Sequence, residues 1–220
     1  WGAQAEVAFA DAEEVEVYVG RAISPGSFAW VVPASPGRAR VGLLSYDHPR
    51  ERFFSLLNDH RIKPRLRETP TPVIAPIPMG SLSRTVSDGV VVVGEAAGQV
   101  KTTTGGGVYF GLLCANIAVD VLTQALEEDD LSSERLSVYD ERWRALLSKE
   151  IEAGLRLRRF ARYLSDEAIA SLMNFAFNDE IMGRSAPFFS FDWHAQIISR
   201  LAKEMPRRLL ARGIKALSAS

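Results

Sequence analysis

The residue with the clearest chemical potential in this 220-residue chain is Glu95, which follows a short run of valines. Residues 90–93 are all valine and predict a strand that is apolar throughout and covered on both faces. Glu95 would then lie where this strand ends. A carboxylate in that place can accept charge-assisted hydrogen bonds from sugar or polyol hydroxyls, and such bonds are stronger than neutral ones.

Three consecutive glycines open the helix that is predicted to follow, over about residues 106–126. They leave backbone N–H groups exposed at the helix N-terminus, which carries about half a positive charge and stabilises a nearby anion. Reduced flavin carries negative charge at its pyrimidine end, so this helix end suits a flavin ring. The alternative is that the glycines only permit a tight turn. The candidate cofactor-binding residues are Glu95, Gly105, Gly106, Gly107 and Val108.

Two segments resemble motifs of one enzyme family. GEAAGQVKTTTGGGVYFG (residues 94–111) resembles the second flavin motif of the geranylgeranyl reductase family, within the superfamily of flavin-dependent hydroxylases and reductases. Most members of that superfamily have Asp where this chain has Glu95, and either residue supplies a carboxylate. SFAWVVPASPGRARVGLL (residues 27–44) resembles the family's aromatic-x-Trp-x-x-Pro segment, which lines the substrate cavity.

The second resemblance implies substrate-binding roles for Phe28, Trp30, Pro33 and Gly42, although Leu44 replaces the family's second glycine. Phe28 and Trp30 alternate along a strand and so share one face. Large apolar side chains there could line a tunnel for a prenyl chain, and the equal alternative is that they belong to the core of the sheet. A further substrate-binding candidate is Tyr109, for which helix packing is the favoured alternative.

The resemblance implies an FAD-dependent oxidoreductase that saturates carbon–carbon double bonds of isoprenoid (geranylgeranyl) lipids by hydride transfer from reduced flavin. An electron donor such as NAD(P)H or ferredoxin would be a partner, and no catalytic residue is identified. Alternatives within the superfamily are a monooxygenase or halogenase, and a dehydrogenase linked to an electron-transfer flavoprotein. The alternative outside enzymes is a non-catalytic lipid-binding or membrane-docking module.

The chain has no GxGxxG motif, the loop with which such flavoproteins hold the adenine dinucleotide, and it begins with Trp1 rather than Met. We therefore expect it to be the C-terminal portion of a longer enzyme. FAD would be bound by the intact protein, and binding in this fragment would be weak or absent.

Composition argues against several classes of function. A net charge of -1, from 26 basic and 27 acidic residues, does not favour nucleic-acid binding. The single cysteine, Cys114, excludes a disulfide framework, and no metal site is predicted. The longest apolar stretch, residues 108–122, is shorter than the roughly 20 residues of a membrane-spanning helix. We expect a cytoplasmic protein. Its basic tail could contact a membrane surface through anionic lipid headgroups; the basic residues are Arg200, Lys203, Arg207, Arg208, Arg212 and Lys215.

The pattern of the whole chain predicts an α+β fold. We place an antiparallel substrate-binding sheet in residues 1–80, the second half of the FAD-binding domain in 81–126 and a C-terminal helical region in 127–220. Alternating valines predict a half-buried strand near residues 14–20, and Pro36-Gly37 predicts the turn of a hairpin over 27–45.

Apolar spacing predicts helices over residues 48–59 and 131–163, the latter with Ser133 as N-cap, and a further helix starts at Ser165. Lys101 could lie near the cofactor, and the favoured interpretation is a solvated loop residue. An aromatic cluster is interpreted as core of the helical tail, with a mouth through which lipid enters as the alternative; it comprises Phe188, Phe189, Phe191 and Trp193.

Overall fold

The computed structural model describes residues 1–177 and 179–204, which form two compact units. The sheet unit contains Trp1–Ile77 and residues 159–177. The helical unit contains Pro78–Arg158 and Asp179–Glu204. Antiparallel strands and helices both occur, so the predicted α+β class is confirmed.

The sheet unit is built on a five-stranded antiparallel sheet in the order β2-β3-β4-β1-β5. Helix α1 (Pro49–Leu57) packs on it, with Phe53 and Leu56 buried in a core shared with alternate strand residues such as Val31 and Val41. The alternation arises because successive side chains of a strand point to opposite faces. The strands are β1 (Gly2–Ala8), β2 (Glu16–Val19), β3 (Phe28–Ser35), β4 (Arg38–Leu44) and β5 (Val73–Ala75).

The predicted hairpin is confirmed. Strands β3 and β4 pair antiparallel, with Ala29 opposite Leu43 and Val31 opposite Val41. The turn between them places Gly37 at a φ of 72°, a conformation that glycine adopts without a steric penalty from Cβ.

The predicted strand near residues 14–20 is β2, and its buried side chain is Tyr18. The valines of the other face, Val15, Val17 and Val19, are exposed. Tyr18 is covered by the guanidinium of Arg61, 4.7 Å from its ring centroid, and its hydroxyl donates a hydrogen bond to Glu16. The alternation of valine with other residues therefore predicted the strand, but it did not show which face of the strand is buried.

The helical unit combines a two-stranded ladder, a 3₁₀ turn and long helices. Strands β6 (Val86–Ser87) and β7 (Val90–Val91) pair antiparallel, and the turn Gly94–Ala97 follows them. The core lies between α2 and α3, where Phe110, Cys114, Leu136, Tyr139 and Trp143 are among the buried residues. Within residues 58–204, apart from position 178, the α-helices are α2 (Val108–Glu127), α3 (Ser133–Arg162), α4 (Asp166–Ala176), α5 (Asp179–Ser185) and α6 (Ala195–Glu204).

Helices α2, α3 and α4 lie close to their predicted positions, and Ser165 caps α4 by accepting a hydrogen bond from the Ala168 amide. The predicted buried strand over residues 90–93 is wrong. Strand β7 has two residues and Val90 is 50% exposed, since within the described residues β7 pairs with β6 alone and no sheet extends beyond it. Ser132, rather than Ser133, caps α3, because its hydroxyl accepts a hydrogen bond from the Arg135 amide at 3.2 Å.

By length and composition alone, α2 could cross a membrane, since its mean hydropathy is 1.5 over an 18-residue window. The prediction from sequence ended the apolar stretch at Leu122, whereas α2 continues to Glu127, and so it did not anticipate this. Core helices share this composition, and α2 contributes Phe110, Cys114 and Val121 to the core of the helical unit. Its other side is exposed and apolar at Val108 and Leu112.

Candidate functional site

The N-terminus of α2 is formed by the glycine triplet. Helix α2 begins at Val108 with Gly107 as its N-cap, and no side chain of the described residues caps its first turn. The preceding loop is closed on itself, because the Lys101 amide donates to the Gly106 carbonyl at 2.8 Å and the Gly105 amide donates to the Lys101 carbonyl at 2.7 Å. Gly105 has a φ of 79°, so a side chain there would be strained. The loop therefore leaves the positive end of the helix without a capping side chain.

Glu95 lies next to this helix start. Its Cβ is 4.0 Å from the point where a Cβ on Gly107 would lie. The 3₁₀ turn that carries Glu95 can approach α2 this closely because glycines meet there, a Cβ on Gly111 lying 3.5 Å from the Gly94 Cα. Glu95 is exposed, and its carboxylate has no hydrogen bond or ion pair with the described residues. A carboxylate that has no partner among the described residues thus lies beside the uncapped first turn of α2, while the Gly106 amide just before it donates to Thr104 Oγ1 at 3.4 Å.

A buried polar network holds the turn in place. The Gly94 amide donates to Gln99 Oε1 at 2.6 Å, and Gln99 Nε2 donates to the Tyr139 hydroxyl at 2.8 Å. That hydroxyl in turn donates to the Val92 carbonyl at 3.1 Å. Burial raises the pKa of Tyr139 to about 12, so its hydroxyl remains a donor at neutral pH. The sequence analysis missed Gln99, whose only signal was an amide between small residues of the motif.

We predict that Tyr139→Phe destabilises the protein by about 1–3 kcal/mol, because the buried Gln99 amide loses its acceptor. Urea denaturation measures the change. The control is Tyr163→Phe, whose hydroxyl makes no comparable buried bond in the described residues and which should change stability by no more than about 0.5 kcal/mol. Equal effects of the two substitutions would contradict the role given to the network.

The glycine loop rests directly on α3. The Thr102 hydroxyl donates to the Ile151 carbonyl at 2.8 Å, and a Cβ on Gly154 would lie 2.3 Å from the same hydroxyl oxygen. The lack of a side chain on Gly154 therefore allows the loop to sit where it does. Lys101 is not the solvated residue that was predicted, since its side chain is only 11% exposed and is paired with Asp192.

Three of the predicted substrate-binding residues of the sheet unit, Phe28, Trp30 and Gly42, lie on the face opposite its core. Trp30, Gly42 and Gln4 are neighbours in register across β3, β4 and β1. The indole lies over Gly42 and donates from Nε1 to Gln4 Oε1 at 3.0 Å, with the Phe28 ring 5.8 Å away. Ala29 and Val31 occupy the core instead, so the alternative that Phe28 and Trp30 are sheet core is wrong.

Pro33 belongs to the other face of the sheet, because it alternates with Ala29 and Val31 and lies opposite the buried Ala39. The register of β3 against β4 shifts just after it, between Pro33 and Ser35. Tyr109, in the helical unit, is 37% exposed and packs edge-on against Trp193 with centroids 6.2 Å apart. The candidate residues thus fall into two groups, one in each unit, and a role in substrate binding stays a prediction for all of them.

Substitution of Gly42 tests whether the Trp30 indole lies directly over this residue. We predict that Gly42→Ala destabilises the protein by about 1–3 kcal/mol through overpacking. A Cβ there would lie 2.5 Å from Trp30 Cζ2 and 2.8 Å from the Ala3 carbonyl, and backbone cannot yield as a flexible side chain does. Urea denaturation provides the measurement. Gly183→Ala is the control, since a Cβ there meets nothing within 4 Å, and an unchanged stability of Gly42→Ala would contradict the geometry.

Comparison with known proteins places these features in a family. No family model matches the chain. A digeranylgeranylglycerophospholipid reductase from Methanothermobacter thermautotrophicus is 36% identical over 175 residues, which are 74% of this chain and 43% of that protein. A protein of the same name from Methanopyrus kandleri is 32% identical over 192 residues, 82% of this chain and 48% of its own length.

The chain belongs to the geranylgeranyl reductase family. It spans less than half the length of these two relatives. The same fold occurs in a geranylgeranyl bacteriochlorophyll reductase-like protein from Thermoplasma acidophilum, with a TM-score of 0.71, 17% identity and coverage of 93% of this chain and 54% of that chain. A probable FAD-dependent monooxygenase from Pseudomonas aeruginosa has a TM-score of 0.52 over 73% of this chain and 48% of its own, at 22% identity.

Proposed function

We propose that this member of the geranylgeranyl reductase family is the C-terminal part of an FAD-dependent enzyme that saturates carbon–carbon double bonds of isoprenoid lipids. The observation that carries the proposal is the position of Glu95, whose carboxylate has no partner in the described part of the chain, beside the uncapped start of α2. The names of the relatives support the substrate class, because they are reductases of lipids with geranylgeranyl chains.

The residues of the helical unit fit a flavin by their chemistry. The amides around Gly106 and Gly107 would face the pyrimidine end of the ring, where negative charge is stabilised by the helix dipole. The Glu95 carboxylate would accept hydrogen bonds from ribityl hydroxyls. The cofactor itself supplies the chemistry, a hydride for one alkene carbon while a proton is added at the other.

The sheet unit would supply the surface for the isoprenoid chain. Phe28, Trp30 and Gly42 form an apolar platform, and the bond from Trp30 to Gln4 fixes the indole in one orientation. An apolar wall of this kind excludes water and aligns the alkene. Such alignment is required because an alkene has no polar group through which hydrogen bonds could orient it for hydride transfer. Pro33 and, in the helical unit, Tyr109 stay separate candidates for substrate contact.

The rest of the enzyme would cover the exposed face of α2. Val108, Leu112, Val119 and Leu126 are between 62% and 81% exposed, an arrangement that favours a partner element. Relatives about twice as long have the residues to provide one. With the adenine dinucleotide held there, we expect this chain alone to bind FAD weakly or not at all.

The proposal is tested with the full-length protein that contains this chain. Purified protein with chemically reduced FAD should convert a geranylgeranyl lipid into a product that has gained two hydrogens for each double bond reduced, as measured by mass spectrometry. NAD(P)H and reduced ferredoxin are then compared as electron donors. Oxygen uptake with a hydroxylated or halogenated product would contradict this proposal and support a monooxygenase or halogenase. Electron transfer to an electron-transfer flavoprotein would contradict it and support a dehydrogenase. Lipid binding by a protein that takes up no flavin would contradict it.

We also propose peripheral membrane contact by a cytoplasmic enzyme. The aromatic cluster was expected to be core, but Phe188, Phe189 and Phe191 are exposed, whereas Trp193 packs against the core of the helical unit. Cations of α6 lie nearby, with the Arg200 guanidinium 4.6 Å from the Phe188 ring. Arg207, Arg208, Arg212 and Lys215 of the basic tail lie outside the described residues. Flotation with anionic vesicles should recover the full-length protein, with neutral vesicles as the control, and equal recovery from both would contradict an electrostatic contact.

A further inference from the structure

An ion pair lies behind the glycine loop. Lys101 Nζ is 2.8 Å from Asp192 Oδ1 and 4.6 Å from the centroid of the Phe191 ring. The two charged side chains are only 11% and 26% exposed, so solvent screens the pair less than it would a surface pair. The lysine also lies against the loop, since a Cβ on Gly106 would be 3.2 Å from its Cε and 3.9 Å from its Nζ. A positive charge is thus held beside the amides that precede α2.

A second tether fixes the segment that carries Asp192. Thr103 Oγ1, in the glycine loop, shares a hydrogen bond of 2.7 Å with His194 Nδ1. The amides of His194 and Ala195 both donate to Glu150 Oε2 at 2.8 Å, which attaches the segment to α3. Asp192 is therefore held in position by its neighbours and not by the lysine alone, so removing the Lys101 charge leaves the carboxylate where it is.

We propose that the Lys101–Asp192 pair sets the reduction potential of the bound flavin. This inference rests on the proposed function, because it requires the pyrimidine end of a flavin to face the amides near Gly106. Reduction by two electrons and one proton leaves a net negative charge at that end of the ring. A nearby ammonium stabilises the reduced form more than the neutral oxidised form, and the Asp192 carboxylate offsets part of that effect.

Substitutions of Lys101 and of Asp192 should shift the reduction potential in opposite directions. Lys101→Met should lower the reduction potential, because it removes the positive charge and leaves the carboxylate. Asp192→Asn, which has the same shape, should raise it, because the ammonium is no longer offset. We expect each substitution to change the ratio of affinities for reduced and oxidised FAD about tenfold, which is about 30 mV for a two-electron couple.

The experiment is a redox titration of the full-length holoprotein with a reference dye. Lys101→Arg keeps the charge and should stay near the wild-type potential. Asp120→Asn breaks an exposed pair, with Arg142 at 3.0 Å, and should leave the potential unchanged. For a variant that releases its flavin, the dissociation constants for oxidised and reduced FAD are measured instead, since their ratio gives the same quantity.

The sign of the shifts separates this role from a merely structural one. Shifts of opposite sign support the proposal. Shifts of the same sign, or none, overturn it and leave the flavin site standing, because a loop disturbed by either substitution would respond in one direction. A wild-type protein that takes up no flavin overturns both this inference and the proposed function.

Discussion

Glu95→Ala in the full-length protein is expected to weaken FAD binding about 10- to 100-fold. Hydrogen bonds to a charged acceptor contribute about 1.5–3 kcal/mol, and each 1.4 kcal/mol is a tenfold change in affinity. The side chain is exposed and has no hydrogen bond or ion pair within the described residues, so its removal should leave the stability of the protein unchanged. Titration of the apoprotein with FAD, followed by flavin fluorescence, measures the loss.

Two companion variants sharpen this result. Glu95→Asp keeps the carboxylate and should retain FAD, whereas Glu127→Ala removes an exposed carboxylate from the other end of α2 and should have no effect. Unchanged FAD affinity in Glu95→Ala would show that the Glu95 carboxylate does not bind the cofactor.

Gly106→Val tests the helix amides independently of the carboxylate. The nearest atom to its Cβ would be Cε of Lys101, at 3.2 Å, which is side chain and not backbone, so a shift of a few tenths of an ångström accommodates the substitution. The branched side chain would nevertheless occupy the approach to the amides. We expect loss of bound flavin, seen as loss of its visible absorbance, with little change in the thermal unfolding temperature. Retention of full flavin occupancy would argue that the amides face elsewhere.

Local sequence patterns were sufficient for the elements that carry the candidate site. The hairpin β3–β4 was predictable because its turn residues and alternating strands are neighbours in sequence. Helices α2 and α3 were predictable because twenty or more residues repeat one apolar spacing. The proximity of Glu95 to Gly107 could also be expected, since a tight turn and a closed loop are all that separates them.

Contacts between residues that are far apart in the sequence could not be predicted from local patterns. Asp192 and His194 meet the glycine loop from about ninety positions further along the chain, and Gly154 supports it from α3. Each is an ordinary residue in its local context, and only the packing of α3 and the later segment against the loop gives it a role. The buried face of β2 was undetermined for the same reason, because Arg61 covers Tyr18 from outside the strand.

The glycines of the GEAAG segment illustrate how one motif combines folding and ligand requirements. Gly98 is buried, with a φ of 71°, and a Cβ there would lie 1.9 Å from the Gly80 carbonyl oxygen. That oxygen belongs to backbone, so it cannot move aside without shifting the chain. The small residue at this position is therefore required by packing within the helical unit.

Gly98→Ala is accordingly expected to have the largest effect on stability, about 2–5 kcal/mol. The left-handed backbone contributes about 1–2 kcal/mol for a residue with a Cβ, and the overlap with Gly80 adds about 1–3 kcal/mol. Gly89→Ala is the matched control, because Gly89 has a φ of 66° in the same unit and a Cβ there meets nothing within 4 Å. Urea denaturation of both variants separates the two contributions. Equal destabilisation would mean that conformation alone selects glycine at position 98, whereas the larger loss expected for Gly98→Ala would show that the motif retains glycine to keep the Glu95 turn packed on its neighbours.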